Sequence, residues 1–145
     1  MIVLNKPEHG HILAEAAGVI FNPAVDRVIA RLYPSGSVRG GMVFNGYTGS
    51  SIGIHMAGFD PKWADKTLIW MCFDYCFNQI GCKKVFGQVP SKNARALEIN
   101  RKLGFKLEAL VKDVFPDDDL IVISMTREDC RWLGRKPKML AEEAA

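Results

Sequence analysis

Two hydrophobic rhythms alternate along the chain. One is a series of short apolar stretches rich in β-branched residues and bounded by turn residues, which reads as strands. The other is the recurrence of Ile69, Phe73, Cys76, Phe77 and Ile80 at helical spacing. Taken in order, residues 2–5 predict a short strand. Glu8–Ala17 predicts a helix closed by Gly18, and Val25–Tyr33 a strand ending at the Pro34–Gly36 turn. Val38–Asn45 and Ser51–Gly58 then flank the Gly46–Gly49 turn as an antiparallel meander.

The second half opens with Asp60-Pro61, a cap followed by a first-turn proline, so a long helix is expected over Lys62–Ile80, ended by Gly81. Lys84–Val89 predicts a strand. A helix over Lys92–Leu103 follows, with Ser91 as its N-cap and Gly104 as the left-handed residue past its end. Phe105–Phe115 and Leu120–Thr126 predict two strands around the acidic turn Pro116–Asp119, and Arg127–Leu133 a last short helix. The expected order is β-α-β-β-β-α-β-α-β-β: an α+β domain over residues 1–133, with residues 134–145 as a polar, mobile tail.

Composition narrows the class. The 145 residues are 48% hydrophobic and 24% charged, as in one soluble globular domain. No apolar run reaches the roughly 18 residues of a membrane span, and the start lacks the pattern of a signal peptide. The net charge of +3 suits a small anionic ligand without demanding nucleic acid. The basic stretch Arg131–Lys138 reads as a solvated tail rather than a nucleic-acid site. Cys72, Cys76, Cys82 and Cys130 form no metal-ligand pattern and read as reduced thiols of a cytoplasmic protein, with no metal expected.

The stretch SKNARALEINRKLGF is the most specific one. Asn93, Ala96, Lys102, Leu103, Gly104 and Phe105 follow a strand ending in QVPSKN. With the element order, this resembles the GNAT superfamily of acetyl-CoA-dependent N-acetyltransferases over roughly residues 25–126. The resemblance implies a three-layer fold: a central mixed, mostly antiparallel sheet with helices on both faces. It implies acetyl-CoA as cosubstrate and an amine as acceptor, and relatives are often homodimers. It places Asn93 and Ala96 against the pantetheine arm, with backbone N–H groups of Met56, Ala57 and Gly58 at the thioester carbonyl.

Two family features differ. The glycine phosphate signature is absent, and its place is taken by the helix start Lys62, Trp63, Ala64, Asp65, Lys66 and Thr67, whose lysines and N–H groups are the candidates for pyrophosphate. The position of the family's acidic tyrosine is Asn100, an amide that can hydrogen-bond the sulfur. His55, on the strand entering the site, is the candidate general base; the alternative is a half-buried strand histidine bonded to its neighbours. Direct acyl transfer to an amine is the first expectation, and a catalytically weak module that binds CoA or a protein partner is the second.

Overall fold

The structure is a computed structural model that describes residues 1–138. Seven strands form one sheet in the order β1-β2-β3-β4-β5-β7-β6. These are β1 (Ile2–Leu4), β2 (Arg27–Leu32), β3 (Val38–Asn45), β4 (Ser51–Gly58), β5 (Lys84–Pro90), β6 (Lys106–Phe115) and β7 (Asp118–Thr126). Every neighbouring pair is antiparallel except β4–β5. Helix α1 spans Pro7–Ala17, α2 Lys66–Asp74 and α3 Ala94–Leu103. A π-helical segment, Tyr75–Gln79, continues α2. This is the expected element order and the expected mixed α+β sheet.

The sheet separates two apolar layers. On one face α1 packs Leu13 and Ala14 on Val28, Ala30 and Val43. On the other, Leu68, Ile69, Phe73 and Phe77 of the α2 segment meet Ile29, Met42, Phe44, Ile52 and Ile54, with Phe105 closing the layer behind α3. The central strands are therefore buried on both faces, which is why β2 and β3 read as near-continuous apolar runs. Gly104 takes φ 113° and lets the Phe105 N–H reach the Asn100 carbonyl, ending α3 as expected.

Two cap assignments are corrected. The long helix begins at Lys66, not Lys62, because Asp60 is not its cap. Asp60 accepts from Arg39 Nε at 2.7 Å, from the Tyr33 hydroxyl and from the Lys62 N–H, which holds residues 59–65 in turns. Asp65 is the cap, accepting from the Leu68 N–H at 3.0 Å. Likewise Asn93, not Ser91, caps α3, with Oδ1 on the Ala96 N–H at 3.1 Å. The Ser91 hydroxyl instead donates to Asp118, just past the β6–β7 hairpin turn. That turn needs only Pro116 and Asp117, since Phe115 already pairs with Asp118. The last helix is one 3-10 turn, Arg131–Gly134, tied to α3 by the Trp132 indole N–H on the Leu103 carbonyl at 2.8 Å. Residues 135–138 of the expected tail run on from it, and residues 139–145 lie outside the described residues.

Candidate active site

Strands β4 and β5 start as a parallel pair and then part. Only Ser51–Gly53 pair with Lys84–Phe86. Beyond that point β4 stays on β3 as far as Gly58, and β5 stays on β7 as far as Pro90. The wedge between them exposes one backbone edge of each strand. Such unpaired N–H and C=O groups need partners when covered.

Two adjoining cavities fill it. One, about 210 Å³, is lined by His55, Met56, Gln88, Asn93, Ala96 and Asn100, with the end of α1 at Ala16–Ala17 above. The other, about 350 Å³, shares Met56, Asn93, Ala96 and Asn100 and extends to Gly58, Trp63 and Arg95. Ala96 keeps the α3 wall low. Asn93 spends its carbonyl oxygen on the helix cap, so its amide NH₂ is the group left for a ligand.

Asn100 is 8% exposed, and its Nδ2 donates to the Ala96 carbonyl at 2.8 Å. Its Oδ1 is buried with no partner among the described residues. An orphan buried acceptor costs about 1–3 kcal/mol. Here the orphan belongs to a residue lining both cavities, which fits an N–H or S–H donor supplied by a ligand. The group of Asn100 left without a partner is thus an acceptor.

His55 points to the α1 side of β4. Its Nε2 lies 2.9 Å from Asn45 Oδ1. A carbonyl oxygen only accepts, so Nε2 carries the hydrogen and Nδ1 the lone pair. Gly53 makes this contact possible: a Cβ there would lie 2.7 Å from Asn45 Oδ1. Burial lowers the His55 pKa from its ordinary 6.5, opposed by the charge of Asp26. The ring is therefore neutral at pH 7, as a base must be.

The start of α2 sits apart from these cavities. Trp63 lines the wider one, but Lys62, Ala64, Asp65, Lys66 and Thr67 line neither. The Asp65 carboxylate occupies the helix N-terminus and pairs with Arg31, and Asp60 pairs with Arg39. The glycines missing from this loop stand in the strands instead. A Cβ at Gly40 would lie 2.6 Å from Trp63 Cβ, and one at Gly58 would fall inside the indole ring. Strand glycines thus admit the Trp63 ring that borders the groove.

Arg95, Gln88 and Asn45 were missed by sequence reasoning. Arg95, two residues after Asn93 in the first turn of α3, carried a signal as a cation beside an expected arm-binding residue. Gln88 and Asn45 carried none, because strand divergence and cross-strand register bring them to the site. No cysteine lines either cavity, and burial raises the pKa of Cys72, Cys76, Cys82 and Cys130. Among the described residues no group of three His, Cys, Asp or Glu side chains is placed to hold a metal.

No protein-family profile matches the chain, and no curated protein matches it in sequence. Solved structures do. A dodecameric spermidine N-acetyltransferase from Vibrio cholerae superposes with a TM-score of 0.65 at 18% identity, covering 77% of this chain and 69% of that one. The spermidine/spermine N-acetyltransferase SpeG of the same organism, solved with manganese ions, gives 0.70 at 13% identity over 93% of this chain and 95% of that one. A chimera of the Vibrio cholerae enzyme and hSSAT gives 0.63 at 18%, over 77% and 72%. At these identities the likeness concerns architecture: the chain has the fold of the GNAT N-acetyltransferases.

Proposed function

We propose that the chain transfers an acetyl group from acetyl-CoA to a primary amine. The observation that carries this reading is the unpaired wedge between β4 and β5, walled by Asn93, Ala96 and Asn100. The pantetheine arm is an extended chain that carries amides, the groups that open strand edges can pair with. Its N–H groups meet the open strand edges and Asn100 Oδ1, and backbone N–H groups of Met56, Ala57 and Gly58 face the thioester carbonyl. Arg95 and the Trp63 ring stand where the arm leaves toward its phosphates. Lys62 and Lys66 supply longer-range positive charge, and the backbone of Ala64–Thr67 is the remaining candidate for direct phosphate contact.

The amine nitrogen attacks the thioester carbon, forming the C–N bond and a tetrahedral oxyanion held by backbone N–H groups. The ammonium proton passes to His55 Nδ1, directly or through one water. The C–S bond then breaks, and the thiolate takes a proton from solvent, since its pKa near 8.5 makes it a good leaving group. A lysine-like amine with pKa about 10.4 is neutral in roughly one molecule in 2,500 at pH 7, so such an acceptor must first lose a proton to solvent before it attacks, and His55 takes the second proton from the intermediate. The neighbours in fold include spermidine N-acetyltransferases, which puts polyamines in the first amine panel. The four buried thiols fit a reducing, cytoplasmic setting.

The test is a thermal melt with acetyl-CoA followed by turnover on the panel. A ligand at about 100 times its Kd adds about 2.7 kcal/mol of stability. No shift would end this reading. A shift without turnover on any amine would favour the second one, a CoA-binding module, for which the Asp65 carboxylate at the helix N-terminus is the supporting observation.

A further inference from the structure

We propose that the cavity between the start of β2 and the second half of α2 is a second binding site, for a small organic anion with an apolar or aromatic body. The cavity measures about 470 Å³, larger than either cavity of the wedge, and shares no lining residue with them. That volume lies within the range of small-molecule sites, about 300–1,000 Å³. Arg27 pairs with Phe44 and Phe44 with Ile54, whereas Gly58 pairs with Gly40. The cavity is thus two strands away from the wedge and at the other strand end from Gly58 and Trp63.

Its chemistry is one-sided. The floor is apolar, formed by Ile29, Met71 and Leu4 beside the rings of Trp70 and Tyr75. The Trp70 Nε1–H is buried and has no acceptor among the described residues. An indole N–H only donates, so this group asks for a ligand acceptor. Asn5 gives its Oδ1 to the Val28 N–H at 3.1 Å, which leaves its NH₂ as a second donor. Arg27 and Lys136 form no ion pair among the described residues. Lys136 Nζ stands 5.6 Å from the centroid of the Trp70 ring.

Against these donors stands one carboxylate. Asp74 already accepts from Asn78 Nδ2 at 2.8 Å and Gln79 Nε2 at 3.0 Å. Two positive charges face one hydrogen-bonded carboxylate, a net surplus of one positive charge, with two neutral donors around an apolar floor. An amphipathic carboxylate matches all of it: oxygens to Trp70, Arg27 and Lys136, apolar body over Ile29 and Met71. The wall on the α2 side runs into the π-helical turn Tyr75–Gln79, a backbone form that recurs at functional sites.

The experiment titrates phenylpropionate, and separately its amide and phenylpropylamine, into the full chain while following the Trp70 indole N–H resonance, assigned by Trp70→Phe. The acid is expected to move that resonance saturably and to bind about 10-fold or more tighter than the amide, a difference of about 1.4 kcal/mol. Arg27→Gln and Lys136→Gln should each weaken it several-fold, with melting temperatures near that of the parent chain. Saturating acetyl-CoA should leave the titration unchanged, so this site and the acyl-transfer reading fail or stand separately. Tighter binding of the amine, equal binding of all three, competition by acetyl-CoA, or no movement of the resonance would each overturn the proposal.

Discussion

At the residue scale, Asn100 and His55 carry opposite strains. Asn100 keeps a buried acceptor unpaired, a cost that a leucine of similar branching would not bear. Asn100→Leu is therefore expected to raise the melting temperature by a few degrees, about 1 kcal/mol, while reducing the shift given by acetyl-CoA. A melt with and without the ligand reads both effects. His55 keeps its ring neutral by burial. Its folded pKa lies below the ordinary 6.5, so the stability it contributes is full above that value and is lost as pH falls through the folded pKa. The parent chain should lose stability as pH drops below about 6.5, and His55→Gln should flatten that limb of the curve. The same variant should lower kcat/KM by about 10²–10⁴ if the base acts as proposed. Asn45→Ala should move the acid limb of the rate profile with less loss of rate, because Asn45 orients the ring without touching substrate.

At the scale of elements, the turn before α2 is decided by side chains rather than by helix propensity. Asp65 caps the helix and neutralises Arg31. Asp65→Ala should cost about 1 kcal/mol in a chemical melt. It should also leave Arg31 and the helix N-terminus open to anions, so acetyl-CoA affinity is expected to hold or rise. Trp63 depends on strand glycines instead. Gly58→Ala places a methyl where the indole now lies, and the ring must move. A loss of about 1–3 kcal/mol is expected, with a red shift in tryptophan emission as the ring becomes wetter.

At the scale of the whole molecule, the β6–β7 end differs from the rest. Every residue of β6 is exposed, with Leu107 at 72% and Leu110 at 53%. Apolar exposure on this scale marks association surfaces, and it fits the homodimer that the family resemblance leads one to expect. Its register shifts, at Leu107/Ala109 and Val111/Phe115, disfavour simple edge pairing. A dimer would therefore use side-chain packing. Leu107→Lys with Leu110→Lys should leave the melting temperature of the monomer nearly unchanged and abolish any dimer seen by light scattering. A parent chain that is monomeric at high concentration would overturn the dimer expectation.

The chain's local pattern suffices for the order of elements, the antiparallel meander and the end of α3. Apolar periodicity, turn residues and Gly104 are local signals, and the strand ranges Val38–Asn45 and Ser51–Gly58 match residue for residue. It also brought out Asn93, Ala96, Asn100 and His55, which the fold gathers around one cleft. Packing settles what is non-local. The caps at Asp65 and Asn93 prevailed over Asp60 and Ser91 because the latter found partners 21 and 27 residues away. The divergence of β4 and β5, the Asn45–His55 contact and the cavity beside Trp70 each need strands and helices that sequence spacing does not bring together. Chain order fixes which elements form, but a site is made where they fail to pair, and that is a property of the packed sheet.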